Sequence, residues 1–460
     1  MPASALPVES RLSIERTTRS ILLNMSKSTS KGSLLVIFLT VFIDLLGFGM
    51  VLPLLPIYAK QFGTGESGIL LGLLMASFSI MQFIFAPMWG RLSDRVGRRP
   101  VLMVGLAGSI IFYTLFGIAT VMESLPLLFV SRIGAGLAGA TISTAHAYIA
   151  DTTSLENRPK GMALIGLAFG LGFTLGPLFG GLAFSWEELS QSVESVSATV
   201  TPAPWPGYVA AGLSAIALVI AIFVLPESLH AKSETAARKR FNIEALRSAI
   251  SVPSVGLILL TSFIVVFSFS NLETTLSLIL KGQEGVDSPF QMSLGGVLLT
   301  FAYIGFVLAL VQGGLVRPLS GRLPEAVLAG GGALLQIVSF AWIIILLTSE
   351  EPSRGSVYGV LALCTSGFAF ITPSLNSLLS RRSDPAQQGG VLGLGQSVSS
   401  LARIVGSGLG IPLLMLSVTL PYYVAAGLMA LGLVMIAIVG ITGRDYVADD
   451  VAKPSGETAH

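Results

Sequence analysis

Apolar runs of about twenty residues recur along the whole chain, and few folds can take them in. At ~1.5 Å of rise per residue, each is long enough to cross a hydrocarbon layer ~30 Å thick as a helix. Backbone polar groups in lipid must be satisfied within their own segment, which selects a helical bundle. Composition agrees. Only 11% of residues are charged, where a soluble protein carries about one quarter. The pattern predicts an all-α membrane protein with twelve spans, near 34–58, 69–89, 101–121, 126–150, 161–184, 207–225, 254–280, 293–316, 326–348, 357–379, 390–416 and 420–440.

The placement of cations orients it. With a cytoplasmic N-terminus, the inner connections carry fifteen Lys and Arg residues and the outer ones three, Lys60, Lys281 and Arg354. The positive-inside rule then puts both termini in the cytoplasm of a multi-pass cell-membrane protein. The chain divides into an N-terminal tail (1–33), a first half (34–225), a linker (226–253), a second half (254–440) and a C-terminal tail (441–460). The linker's cluster Arg238, Lys239, Arg240 reads as a membrane-surface segment, not a nucleic-acid patch. Residues 1–24 lack a membrane or targeting pattern, and "MSKSTSKG" from Met25 is a short basic start, so translation from Met25 should suffice. Cys364 is the single cysteine, so no intramolecular disulfide exists.

The densest charge cluster is "GRLSDRVGRRP" (90–100), which reads as the turn between spans two and three, with Gly90 and Gly97 allowing it. Orientation alone would be served by any Lys/Arg mixture and leaves Asp94 unexplained. "GLVRPLSGR" (314–322) faintly repeats it, placing Gly314, Gly321 and Arg322 where the first copy has Gly90, Gly97 and Arg98, with Pro318 in place of Asp94. Six spans, a basic linker and six spans are the plan of a paired-repeat transporter, whose site lies at the midplane between halves.

Ionisable groups in hydrocarbon are functional candidates. Asp44 lies about ten residues into span one, ~15 Å deep. Arg132 lies in span four, Glu273 in the outer third of span seven and Arg403 in span eleven; these four are the candidates for proton coupling or the substrate cavity. A carboxylate that alternates between apolar and solvated surroundings takes up and releases a proton, which is what coupling to a proton gradient requires. His146 reads as a packed side chain. Span five holds "GLGFTLGPLFGG", with Gly172, Gly176, Pro177, Gly180 and Gly181, and predicts a bent, close-packed helix at the interface between halves.

These motifs resemble the major facilitator superfamily, and within it the twelve-helix drug/proton antiporters that include the tetracycline exporters. "DLLGFGMVLPLLP" is similar to that group's first-helix motif, "GRLSDRVGRRP" to the superfamily's signature loop, "RIGAGLAGATISTAHAYIAD" to the span-four motif with Arg132 at its proton-linked arginine, "GPLFGG" (176–181) to the span-five antiporter motif, and "LPES" (225–228) to the end of span six. The resemblance implies a cytoplasmic gate of Gly90, Asp94, Arg95, Gly97, Arg98 and Asp151. In it an arginine reaches Asp151, and Asp94 faces the start of span eleven near Gly389 and Gly390. It further implies proton-coupled antiport exporting amphipathic small molecules by alternating access, with the proton gradient as energy source, no cofactor, no nucleic-acid partner, and function as a monomer in the lipid bilayer. There are departures. Ala163, Ala135 and Ser407 stand where relatives often carry Gly, Gln and Pro, and the run 326–348 lacks the acidic residue of the tetracycline exporters. Tetracycline itself is therefore not implied. The rival readings are a proton-coupled symporter or facilitator for a small metabolite, and more remotely a non-transporting receptor. No nucleophile–base pair, metal cluster or nucleotide loop argues for an enzyme.

Overall fold

The computed structural model describes residues 34–63, 68–153, 158–182, 202–228, 253–282, 286, 288–319, 322–350, 352–382 and 388–442. Both tails, most of the linker, the acidic stretch 183–201 and Gly321 lie outside the described residues, as do the surroundings of Gly389 and Gly390.

The described chain is helical, without a β-strand. The helices are α1 (Leu34–Gln61), α2 (Ile69–Val96), α3 (Arg98–Val121), α4 (segments Leu125–Gly139 and Ile142–Thr152), α5 (Arg158–Leu182), α6 (Trp205–Phe223), α7 (Pro253–Lys281), α8 (Leu294–Leu319), α9 (Glu325–Leu347), α10 (Arg354–Arg381), α11 (Gln388–Leu416) and α12 (Leu420–Thr442). Eleven are long and apolar enough to cross a membrane; α5, whose first turn holds Arg158, Pro159 and Lys160, has a shorter apolar part, Leu167–Leu182. Large apolar side chains such as Leu182, Phe223, Leu416 and Ile441 stay exposed. An apolar solvent makes that exposure favourable for a multi-pass membrane protein.

Local sequence explains the breaks. In α1 the chain turns at 52–54, beside Pro53, which has no N–H to donate. In α8 a π-helical turn, Gln312–Val316, spans the adjacent Gly313 and Gly314, a weak point for regular hydrogen bonding. The stretch 90–100 differs from expectation. It is not a loop: α2 continues to Val96, the turn is the single residue Gly97 at φ +107°, and α3 starts at Arg98. Gly90 lies inside the helix, where its carbonyl accepts a hydrogen bond from the Ser93 hydroxyl at 2.8 Å.

The helices pack in two sets. In the first, α3 lies between α4 and α6, α2 packs on α4, and Ile37, Val41 and Leu45 of α1 join a buried cluster with α3 to α6. In the second, α9 lies between α10 and α12, and α7 between α11 and α12. The sets cross through α2 on α11 and α5 on α8, two pairs that exchange when helix numbers are shifted by six. The crossings are close. A Cβ on Gly72 would sit 2.5 Å from the Gly408 carbonyl oxygen, and one on Gly305 would sit 2.4 Å from the Thr174 Cα. The first approach lies toward the end opposite the arginine-rich one that holds Gly97 and Asp151, and the second lies about midway along α8. At that opposite end, Leu54, Leu55, Ile57 and Tyr58 of α1 are fully buried in one cluster with Leu272, Leu276 and Leu280 of α7. The opposite end is sealed.

Candidate functional site

Three of the four predicted membrane charges meet. Arg132 of α4, Glu273 of α7 and Arg403 of α11 line one cavity between the two helix sets, with Phe48, Leu52, Phe78, Thr274 and Ser407 among its walls. Its volume is ≈ 20 Å³, far below the ~300 Å³ at which drug-sized pockets begin. The centre is thus constricted here and has to widen for a substrate. Arg132 is 2% exposed. Its guanidinium lies 4.7 Å from the Phe78 ring centre and 5.5 Å from that of Phe48. Its Nε and Nη1 are buried with no hydrogen-bond partner among the described residues. On the facing set, the hydroxyls of Ser270 and Ser407 lie 2.9 Å apart, and Thr274 donates to the Ser407 hydroxyl at 3.1 Å.

Asp44 does not line this cavity. It faces inward within its own set, where Ser214 of α6 donates to Oδ1 at 3.4 Å and Ser109 of α3 is a second hydroxyl partner. Tyr113, buried between α1 and α6 against Gly47, is within electrostatic reach of both Asp44 and Arg132. His146 Nδ1 bonds the Ile142 carbonyl one turn back, as a packed side chain would.

At the arginine-rich end the predicted gate residues cluster around Arg98, which is 7% exposed. Its Nε donates to Asp151 Oδ2 at 3.0 Å, its Nη1 to the Ser93 hydroxyl at 2.6 Å, and its Nη2 pairs with Asp94 at 2.6 Å. Asp94 remains well exposed, as does Arg95. Glu227, just past α6, accepts the backbone N–H groups of Arg98 at 2.9 Å and Arg99 at 3.1 Å, so a carboxylate caps the positive end of α3. Arg99 also donates to the Ile222 carbonyl. This cluster ties α2, α3, α4 and the end of α6 together within one set of helices.

The span-five glycines also have two addresses. Gly172, Gly176 and Gly180 face Leu45, Gly49 and Met50 of α1, inside their own set, while Thr174 and Gly181 face α8 of the other set. Only part of that motif therefore serves the interface between sets. Pro177 stays within a continuous α5.

Sequence reasoning did not single out Glu227, Ser93, Phe48 or Phe78 as site residues. Glu227 was visible as an acid beside the basic start of α3 in the folded topology, but not along the chain. Phe48 and Phe78 look like any apolar membrane residue until Arg132 is placed beside them.

Two sets of helices crossing at α2/α11 and α5/α8 around a buried, charged cavity define a membrane transporter. The chain belongs to the Major Facilitator Superfamily, whose family model matches residues 37–407. It is similar to the tetracycline resistance protein, class C, of Escherichia coli, at 31% identity over 82% of this chain and 88% of the relative. It is also similar to multidrug resistance protein 2 of Bacillus subtilis (strain 168), at 28% identity over 89% of this chain and 96% of the relative. Among solved structures it is similar to the human organic anion transporter MFSD10, at a TM-score of 0.64 and 27% identity, covering 88% of this chain and 99% of that one.

Proposed function

We propose that the chain is a proton-coupled antiporter that exports amphipathic small molecules across the cell membrane by alternating access. The observation that carries this reading is the meeting of Arg132, Glu273 and Arg403, from both helix sets, in one central cavity whose opposite end is sealed. Groups contributed by both sets separate when the sets rock, so a ligand there is exposed to one side at a time. In this reading the arginine-rich end and both termini are cytoplasmic. Substrate enters from that side, and the chain works as a monomer with no cofactor. Asp44 is the proton-carrying group, kept apart from the cavity in a hydroxyl-lined site. The names of the relatives, among them tetracycline and multidrug resistance proteins, support export and leave the particular substrate of this chain open.

The test is a drug-susceptibility panel in an efflux-deficient host, paired with everted membrane vesicles. Addition of an exported compound to energised vesicles should dissipate the pH gradient. Accumulation of the same compounds by cells, driven by an inward proton gradient, would instead establish the symporter reading.

A further inference from the structure

We propose that the central cavity holds its substrate by an anionic group, a carboxylate, sulfonate or phosphonate carried on an aromatic body, seated on the guanidinium of Arg132. This rests on the transport reading above and names the substrate class of that site.

A buried guanidinium is costly unless its N–H donors are satisfied. The faces of Phe48 and Phe78 attract the positive charge of Arg132, but an aromatic face does not replace an oxygen acceptor for Nε and Nη1, which have none among the described residues. No carboxylate among the described residues takes that place. Asp44 is turned toward Ser214 and Ser109. Glu273 shares the cavity, but the ion pairs among the described residues are Arg98–Asp94, Arg98–Asp151 and Arg381–Glu325, none of which involves Arg132. Glu273 instead lies in the field of Arg403.

The ionised cavity therefore carries two guanidiniums against one carboxylate, and one further negative charge balances it. The planar fork of an arginine matches the two oxygens of a carboxylate or sulfonate. The adjoining rings of Phe48 and Phe78, 4.7 Å apart, with Leu52 and Met75, supply an apolar, partly aromatic lining for the body of such a molecule. The free volume of ≈ 20 Å³ beside Arg132 is room for about one or two waters, at the place where the headgroup would sit. The body needs the rings to part.

The test uses the full-length protein in lipid nanodiscs and three probes with one aromatic body: 2-naphthylacetate, 2-naphthylacetamide and 2-naphthylethylammonium. Calorimetric titration at neutral pH should give a dissociation constant for the anion about tenfold or more below that of the amide, with the cation weakest. Arg132→Lys should keep that order and Arg132→Gln should abolish it. Glu273→Gln should raise the anion-to-amide preference further by removing the competing negative charge, and this variant decides the matter if Arg132→Gln fails to fold. Equal binding of amide and anion, preference for the cation, an unchanged preference in Arg132→Gln, no gain in Glu273→Gln, or no binding of any probe would each overturn the proposal. None of these outcomes touches the export reading, whose own test is the susceptibility panel and the vesicle assay.

Discussion

Asp44 and Arg132 belong to the same helix set, yet their surroundings assign them different work. Asp44 has hydroxyl partners on α3 and α6 and is not among the residues lining the cavity, whereas Arg132 stands at the cavity wall beside the adjoining rings of Phe48 and Phe78. In Asp44→Asn the side chain keeps its shape, and an amide still meets Ser214 and Ser109, so the protein should insert and fold. Transport driven by a pH gradient should be lost, while substrate binding, read by equilibrium dialysis, should change by less than about threefold, ~0.7 kcal/mol. Gradient-driven transport at wild-type rate in Asp44→Asn would remove this carboxylate from the coupling scheme. A second residue-scale prediction concerns Glu227. Glu227→Gln weakens two charge-assisted hydrogen bonds at the start of α3, and because Glu227 is exposed the loss of its charge there costs about 0.3–1 kcal/mol. The variant should unfold at a lower temperature in a fluorescence-monitored melt, with transport by the folded fraction retained. An unchanged midpoint would mean that water caps α3 equally well.

At the scale of elements, the crossings of α2 on α11 and α5 on α8 are held by backbone approaches that leave no room for a methyl group. Gly72→Ala places a carbon 2.5 Å from a carbonyl oxygen of α11, and Gly305→Ala places one 2.4 Å from a Cα of α5. Neither obstacle is a flexible side-chain end, so the helices must move apart, and packed interiors resist such change at about 1–3 kcal/mol. Both substitutions act where the two helix sets are pressed together in this conformation, which is closed at the opposite end. Each should therefore favour the conformation open at that end, and an impermeant thiol reagent should gain access to a cysteine placed at Leu52 in the variant background. Gly313→Ala, with open space around its Cβ position, should leave access unchanged. Equal labelling in all three would show that these crossings do not set the seal. The role of these glycines was only half legible in the chain. Spacing shows that α5 has a small-residue face, but Gly172 and Gly176 meet α1 while Thr174 meets α8, and helix periodicity does not say which neighbour each face receives. In "GRLSDRVGRRP", likewise, Gly90 and Gly97 look equivalent as letters. Hydrogen bonding continues through the first and stops at the second, where φ is +107°, and the choice depends on Glu227 arriving from α6 to cap the new helix.

For the whole molecule, the lengths of the apolar runs foretold a helical membrane bundle, because the lipid solvent acts on every residue of a span, while the family was legible only through its motifs. The cavity was legible as charges at depth, but not as a constellation, since Arg132 lies 141 positions from Glu273 in a chain folded on itself. What remains to be tested is how the arginine-rich end reports on the rocking of the two helix sets. In the present conformation, closed at the opposite end, Asp94 pairs with Arg98 of its own set and its side chain is 59% exposed. A pair that exposed contributes about 0–1 kcal/mol. If Asp94 meets the start of α11 when the arginine-rich end closes, the helix dipole and free N–H groups there contribute up to ~2 kcal/mol when partly buried. Asp94→Asn removes both interactions, so the larger loss falls on the closed arginine-rich end and the population shifts toward the present conformation. A difference of ~1 kcal/mol changes the ratio of two states about fivefold. Cys364 is buried, so spin labels on cysteines at Val96 and Leu323, both exposed at the arginine-rich end, can report the distance between sets. In Asp94→Asn the long-distance population should grow at the expense of the short one, and turnover should fall more than substrate affinity. Identical distance distributions in the two proteins would confine Asp94 to its pairing with Arg98 within one half.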